Sequence, residues 1–133
     1  MLIADLNEAM GQELAAALGE GVEVIATNVA DGTSVQDMTD RAMALWGQID
    51  ILVNNAGVTH LPAPMEDVTE EDFDKVIAVN VKSVYLTARS IVPLMKARGT
   101  GAILNVASTA GVSPRPNLSW YNASKGWMNN ATK

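Results

Sequence analysis

Apolar residues along this chain fall into short continuous runs, separated by longer stretches with helical spacing. Four runs are long enough to form strands, and polar residues rarely interrupt them. Continuous runs of this kind are typical of parallel strands that are buried on both faces. The predicted strands are Leu2–Asp5, Val22–Ala26, Ile49–Val53 and Ala102–Ala107.

Helices are predicted between the strands, where apolar residues recur every three or four positions. Thr33 and Gln36 match a capping box, and Thr69 precedes three acidic residues whose charge suits the start of a helix. Strands that alternate with helices in this way predict an α/β fold, a doubly wound parallel sheet within one domain. The predicted helices are Glu8–Leu18, one from the cap Thr33 to Trp46, one from the cap Thr69 to Met95, and one that starts near Ser119.

The composition narrows the classes of function. The 133 residues carry a net charge of −6, and their 9 Lys and Arg form no basic stripe, which argues against binding to nucleic acid or to an anionic membrane. Because the chain has no Cys and a single His, thiolate and multi-His metal sites are excluded. We find no signal peptide and no span for a bilayer, and we expect a cytoplasmic protein.

The most informative motif is Tyr121-Asn122-Ala123-Ser124-Lys125, at the start of the last predicted helix. Residues four apart lie on one face of a helix, one turn from each other. A nearby ammonium favours the phenolate form of a tyrosine, so Lys125 would make Tyr121 a usable general acid and base. The same pair also fits a surface lysine beside a half-buried tyrosine.

A second hydroxyl stands at the carboxyl end of the fourth strand, where open parallel sheets bind their ligands. Ser108 at this point can hydrogen-bond a substrate carbonyl oxygen as negative charge develops on it. Thr109 offers a competing hydroxyl, and a serine in this place can also simply turn the chain.

Three further groups are candidates for binding. The small residues of Asn54-Asn55-Ala56-Gly57 let a flat ligand approach the backbone, and the Asn side chains can tie strand ends together. Asn80 interrupts an apolar helix, so it must be hydrogen-bonded, and it can disturb the helix locally and hold a water. Asp5 can accept hydrogen bonds from two ribose hydroxyls, or it can cap the next helix.

Together these residues resemble the classical short-chain dehydrogenase/reductase family, over nearly the whole chain. Asp5, the Asn54 motif, Asn80, Ser108 and the Tyr121 motif occur in the family's order, and Ser108 lies 13 residues before Tyr121, as the family pattern expects. The resemblance implies a Rossmann-like fold and an oxidoreductase. Such an enzyme transfers a hydride between a nicotinamide cofactor and a carbonyl or secondary alcohol, for example a small 3-oxoacyl substrate.

The resemblance also implies roles for single residues. Tyr121 is the general acid or base, and Ser108 positions the carbonyl oxygen. Lys125 binds the nicotinamide ribose and assists Tyr121, and Asn80 supports a water that continues the proton relay beyond Lys125. No metal is implied. The residues expected to bind the cofactor are Asp5, Asn28, Val29, Asn54, Ala56, Gly57, Tyr121 and Lys125.

The cofactor is expected to be NAD, with NADP less favoured, because Asp5 would repel a 2′-phosphate. Asn28 departs from the family pattern, which usually has an aspartate against the adenine amino group, but its side-chain oxygen can still accept that hydrogen bond. More seriously, no stretch matches the family's Gly-rich pyrophosphate loop. Residues 1–133 are therefore expected to be a fragment, a partial NAD(P)-binding domain whose sheet lacks the first and the C-terminal strands.

Such a fragment is expected to bind NAD weakly or not at all, while the full-length parent is expected to be an active homodimer or homotetramer. The alternatives are a truncated inactive fragment, or a non-catalytic nucleotide-binding or interaction protein on the same fold. A third alternative is a related epimerase or dehydratase that uses the same Tyr and Lys. His60 could face the active site, although a histidine in such a loop is more often exposed.

Overall fold

The computed structural model describes residues 1–132. The strands are β1 (Leu2–Asp5), β2 (Glu23–Ala26), β3 (Ile51–Asn54) and β4 (Ala102–Asn105). The helices are α1 (Glu8–Leu18), α2 (Gly32–Trp46), α3 (Glu70–Ile77), α4 (Ser83–Arg98) and α5 (Ser119–Ala131). A π-helical turn (Ala78–Lys82) joins α3 to α4, and a 3₁₀ turn (Thr109–Gly111) precedes α5. Within residues 1–132, no helix is both long and apolar enough to cross a bilayer.

The strands form two separate pairs, and both pairs are parallel. β1 pairs with β2, with Leu2 opposite Glu23, and β3 pairs with β4, with Ile51 opposite Ala102. Parallel neighbours need a crossover connection, which α1 supplies for the first pair and the α3–α4 segment for the second. These strand–helix–strand units confirm the predicted α/β class.

The first compact unit comprises Met1–Asp50 and Leu86–Gly101. In this unit α1 packs closely on β2, since a Cβ added to the buried Gly11 would lie 2.7 Å from Val24 Cγ1. The helix begins after Asn7, whose side chain accepts a hydrogen bond from the Met10 N–H at 3.2 Å. Close packing and a capped start place α1 where the sequence predicted it.

The start of α2 differs from the prediction. Asp31, rather than Thr33, is the N-cap, and its carboxylate accepts a hydrogen bond from the Ser34 N–H at 2.8 Å. Gln36 donates instead to Asp40 Oδ1 at 2.8 Å, so the predicted capping box does not form. Aspartate is among the best N-cap residues, and Asp31 has the extended backbone that a cap requires.

The second unit comprises Ile51–Tyr85 and the segment that begins at Ala102. Thr69 caps α3 as predicted, accepting a hydrogen bond from the Asp72 N–H at 3.1 Å. The two helices α3 and α5 meet through the rings of Phe73 and Trp120, which lie edge to face with centroids 5.2 Å apart. This unit holds the four predicted catalytic residues, Asn80, Ser108, Tyr121 and Lys125.

Candidate active site

Asn80 lies at the centre of a buried hydrogen-bond network. It is fully buried within the π-helical turn, so the predicted local disturbance of the helix is present. Its Oδ1 accepts from the Val58 N–H at 2.8 Å, and its Nδ2 donates to the Val58 carbonyl at 2.9 Å and to Ser124 Oγ at 2.9 Å. Every hydrogen of this amide therefore has an acceptor, as burial requires. π-turns often occur at functional sites.

Ser124 links this network to the backbone of α5. Its hydroxyl accepts from Asn80 and donates to the Tyr121 carbonyl at 2.7 Å, and the residue is 1% exposed. The sequence did not single out Ser124 for this role. The available signal for this role was a hydroxyl within the Tyr121 motif, at a position that the helix buries.

The ammonium of Lys125 is buried beside the same network. Nζ donates to the Val106 carbonyl at 2.9 Å, and the residue is 4% exposed. A Cβ added to Gly57 would lie 3.2 Å from this Nζ and 3.5 Å from Asn80 Oδ1. The backbone after β3 therefore approaches Lys125 closely because residue 57 has no side chain. A buried charge requires polar partners, and an ammonium has three N–H donors, which leaves capacity for a bound ligand.

Ser108 lies beyond the end of β4 rather than within the strand. It is half-buried and extended, with φ −156° and ψ 152°, and its hydroxyl accepts a hydrogen bond from the Ala110 N–H at 3.1 Å. The 3₁₀ turn that it begins packs against α5, because a Cβ on Gly111 would lie 2.7 Å from the carbonyl carbon and oxygen of Lys125. The same turn thus contacts the helix that carries Tyr121.

Tyr121 is half-buried in the first turn of α5, and Lys125 lies one turn later on the same face. The residue before it anchors the start of this helix. The Trp120 indole donates to the Met65 carbonyl at 3.1 Å, and its ring contacts Phe73. The sequence did not predict this anchor, which joins residues 55 positions apart.

The ends of β3 and β4 are tied by their side chains, as the Asn54 motif predicted. Asn54 Nδ2 donates to Asn105 Oδ1 at 2.8 Å, where the two residues are register partners. Asn105 Nδ2 in turn donates to Thr132 Oγ1 at 3.0 Å, near the end of α5. Ala56, the next small residue of the motif, is exposed.

Asp5, Asn28 and Val29 belong to the first compact unit. The exposed Asp5 accepts a hydrogen bond from the Asn7 N–H at 2.8 Å, and Asn7 is the cap of α1, so the alternative role of Asp5 as that cap is wrong. Asn28 Oδ1 accepts from the Ala30 N–H at 3.0 Å, and Val29, half-buried, lies in the turn between them.

His60 is buried, which overturns the view that it is an exposed loop residue. It is 3% exposed, and its Nδ1 lies 2.7 Å from the Leu61 carbonyl. Because a carbonyl can only accept, Nδ1 is the donor in this contact. Nε2 is buried and has no hydrogen-bond partner among residues 1–132. Residues 1–132 also contain no group of three His, Cys, Asp or Glu side chains that could hold a metal ion.

Comparison with known proteins gives consistent matches. The family model described as short chain dehydrogenase matches residues 1–133. The chain is 45% identical over 109 residues to 4-formylbenzenesulfonate dehydrogenase of Comamonas testosteroni, covering 82% of this chain and 43% of that protein. It is 40% identical over 124 residues to human dehydrogenase/reductase SDR family member 4, covering 92% and 45%.

A solved structure agrees with the fold. The 3-ketoacyl-(acyl-carrier-protein) reductase of Brucella melitensis, complexed with NADH, superposes with a TM-score of 0.95 at 41% identity and covers 98% of this chain and 56% of that one. The chain thus has the incomplete Rossmann-like fold that was predicted, and it spans about half the length of the curated relatives it matches. Matching in sequence along its whole length and in structure along 98% of it, the chain belongs to the short-chain dehydrogenase family.

Proposed function

We propose that the whole protein containing these residues is an NAD-dependent oxidoreductase acting on a carbonyl or secondary alcohol. The observation that carries the proposal is the buried Lys125 ammonium, one helical turn from Tyr121 and bonded to the Val106 carbonyl. A buried ammonium needs polar partners, and the single carbonyl bonded here leaves N–H donors for a ligand. Residues 1–133 would form a partial NAD(P)-binding domain that contains the catalytic residues.

In this proposal Tyr121 transfers a proton, and Ser108, Lys125 and Asn80 assist the transfer. Tyr121 donates its phenol proton to the substrate oxygen during reduction and takes it back during oxidation. Ser108 donates a hydrogen bond to the same oxygen while that oxygen gains negative charge. Lys125 keeps positive charge beside Tyr121 and uses its remaining N–H donors for ribose hydroxyls. Asn80, whose Oδ1 accepts from the Val58 N–H, supports a water that continues the proton relay beyond Lys125.

The residues fit a dinucleotide on two counts. Gly57 gives close access to Lys125 Nζ, since any side chain at residue 57 would fill that space. Asp5 has an exposed carboxylate that retains free acceptor sites beside its bond to Asn7. Nicotinamide supplies the hydride exchange with the substrate carbon when it is bound. The remaining proposed cofactor contacts are Asn28, Val29, Asn54 and Ala56.

The proposed substrate class is a small 3-oxoacyl or similar carbonyl compound. Relatives support it: besides the Brucella melitensis enzyme, the 3-oxoacyl-[acyl-carrier-protein] reductase of Thermotoga maritima is 37% identical over 112 residues. We also propose a cytoplasmic homodimer or homotetramer. An exposed aromatic side chain on α4, Tyr85 at 53% exposure, supports an association surface on this helix.

The test is turnover of NADH by the whole protein with a panel of 3-oxoacyl thioesters, ketones and aldehydes, in wild type and in Ser108→Ala. We expect turnover with wild type and a loss of about 100-fold in Ser108→Ala, because the oxygen loses a hydrogen-bond donor. Thr100→Ala, which removes an exposed hydroxyl between α4 and β4, is the control and should retain activity. A folded whole protein that binds no dinucleotide would instead favour a non-catalytic interaction protein.

Cofactor preference gives a separate prediction. Replacing Asp5 with serine in the whole protein is expected to raise the kcat/KM ratio for NADP over NAD by about tenfold, since a carboxylate that repels the 2′-phosphate and accepts from ribose hydroxyls is removed. Glu20→Ser changes the net charge equally at an exposed position between α1 and β2, and it should leave the ratio unchanged. An unaltered ratio in Asp5→Ser would refute the assignment of Asp5.

A further inference from the structure

Asn122, the residue after Tyr121, holds the backbone of a loop residue with both ends of its side-chain amide. Its Oδ1 accepts from the Arg115 N–H at 3.3 Å, and its Nδ2 donates to the Arg115 carbonyl at 2.8 Å. Asn122 is 8% exposed while Arg115 is exposed, so both bonds are partly buried. A single side chain thereby satisfies both backbone polar groups of Arg115, as a neighbouring strand would.

Backbone hydrogen bonds hold both ends of the segment from Val112 to Asn117. At its start, the N–H groups of Val112 and Ser113 donate to the Thr109 carbonyl at 3.0 and 2.8 Å. Arg115 lies between Pro114 and Pro116, which have no N–H, so its own N–H is the one backbone donor of residues 114–116. At the end of the segment, the Asn117 carbonyl accepts from the Ala63 N–H at 3.0 Å.

An open pocket lies between this segment and α5. Its volume is about 580 Å³, and residues of both line it, among them Pro114, Arg115, Asn117, Ser119, Asn122 and Gly126. Beside this pocket, the two bonds from Asn122 join the middle of the segment to the helix.

The position of this segment matters because it connects Ser108 to Tyr121 in the chain. If both hydroxyls bind one carbonyl oxygen, the groups attached to that carbonyl lie beside the connecting segment. We propose that Asn122 is a positioning residue that fixes Val112–Asn117 on α5 and thereby shapes the substrate-binding side of the site. This inference rests on the proposed function.

Asn122 can act in this way without joining the chemistry. Adjacent residues of a helix point about 100° apart, so Asn122 faces the loop while Tyr121 faces another direction. Loss of Asn122 should therefore weaken substrate binding more than it slows the chemical step. Dinucleotide binding should be unaffected, because none of the proposed cofactor contacts lies in residues 112–117.

The test uses Asn122→Ala and Asn122→Asp in the whole protein. The aspartate has nearly the same shape but places a carboxylate against the Arg115 carbonyl. We therefore expect Asn122→Asp to hold the Arg115 backbone no better than Asn122→Ala does. Asn130→Ala and Asn130→Asp are matched controls, because Asn130 is an exposed asparagine on the same helix whose amide bonds within α5. If Asn122→Ala does not fold, Asn122→Ser, too short to reach both atoms, takes its place.

Two measurements decide the result. Hydrogen exchange of the Arg115 amide should accelerate about fivefold or more in both Asn122 variants and in neither control, because its hydrogen-bond acceptor is lost or displaced. The KM for the best carbonyl substrate should rise about fivefold, with kcat and the Kd for NAD nearly unchanged. Unchanged exchange at Arg115 would overturn the proposal, and so would a fall in kcat with an unchanged KM.

Turnover by the wild-type protein separates this inference from the proposed function. If the wild-type whole protein turns over no carbonyl compound, the proposed function fails, and a role in substrate binding fails with it. Turnover by wild type that Asn122→Ala leaves untouched in both KM and kcat overturns the positioning role and leaves the proposed function standing.

Discussion

Tyr121→Phe in the whole protein is expected to lose turnover by about 1,000-fold while keeping its affinity for NADH, because only the proton-transferring hydroxyl is removed. The phenyl ring keeps the apolar contacts of a half-buried residue in the first turn of α5. Lys125 retains its bond to the Val106 carbonyl. The measurement is single-turnover reduction of the best substrate, beside NADH binding by calorimetry.

The chain offers one matched control for this variant, since Tyr85 is its only other tyrosine. Tyr85→Phe removes a phenol hydroxyl from α4 and should keep turnover within about tenfold of wild type, because this hydroxyl takes no part in the proposed proton transfer. If Tyr121→Phe also kept its turnover, the hydroxyl would not be the acid–base group, and the proton would have to come from another donor.

Gly111→Ala is expected to lower the free energy of unfolding by about 3 kcal/mol, the upper part of the range for an overpacked core. A Cβ on residue 111 would lie 2.7 Å from two backbone atoms of Lys125 and 2.7 Å from Asn129 Nδ2. Backbone atoms in the middle of α5 cannot give way as a flexible side chain can. The turn after Ser108 must therefore move away from the helix.

This displacement is also expected to lower turnover by about 100-fold, because a shift of about 1 Å in a positioned group is enough for a loss of that size. Gly32→Ala is the control, since a Cβ there would meet Leu86 Cδ2 at an ordinary 3.6 Å and Gly32 begins a helix. It should keep or slightly raise stability. Chemical denaturation measures both variants, and equal stability for Gly111→Ala and wild type would contradict the close contact.

Local signals in the sequence predicted much of this structure. The helical spacing located α1, the side chain of Thr69 located the start of α3, and a polar residue among apolar ones located the disturbance at Asn80. Each of these depends on residues within one or two turns of each other, where geometry is set by the period of the element.

Contacts between distant residues escaped prediction for a physical reason. Ser124 and Asn80 are 44 positions apart, and Trp120 and the Met65 carbonyl are 55 apart. Nothing in the spacing along the chain indicates that they meet. The burial of His60 is of the same kind, since a loop residue becomes buried through the segments that pack over it.

The N-cap of α2 is Asp31, although the sequence predicted Thr33. Both residues can cap a helix, and they are two positions apart. The backbone decides between them, because Asp31 is extended while Thr33 has already entered the helix.

The π-helical turn at Ala78–Lys82 has a consequence for how this chain tolerates changes in length. A π-turn arises when one extra residue is accommodated within an α-helix, so deleting one residue there would restore a regular helix without breaking it. The regular hydrogen bonding that replaces the turn would nevertheless displace the backbone of Asn80, whose amide now reaches both Val58 and Ser124. We therefore expect such a deletion to lower stability through this buried amide, although the helix itself would remain unbroken.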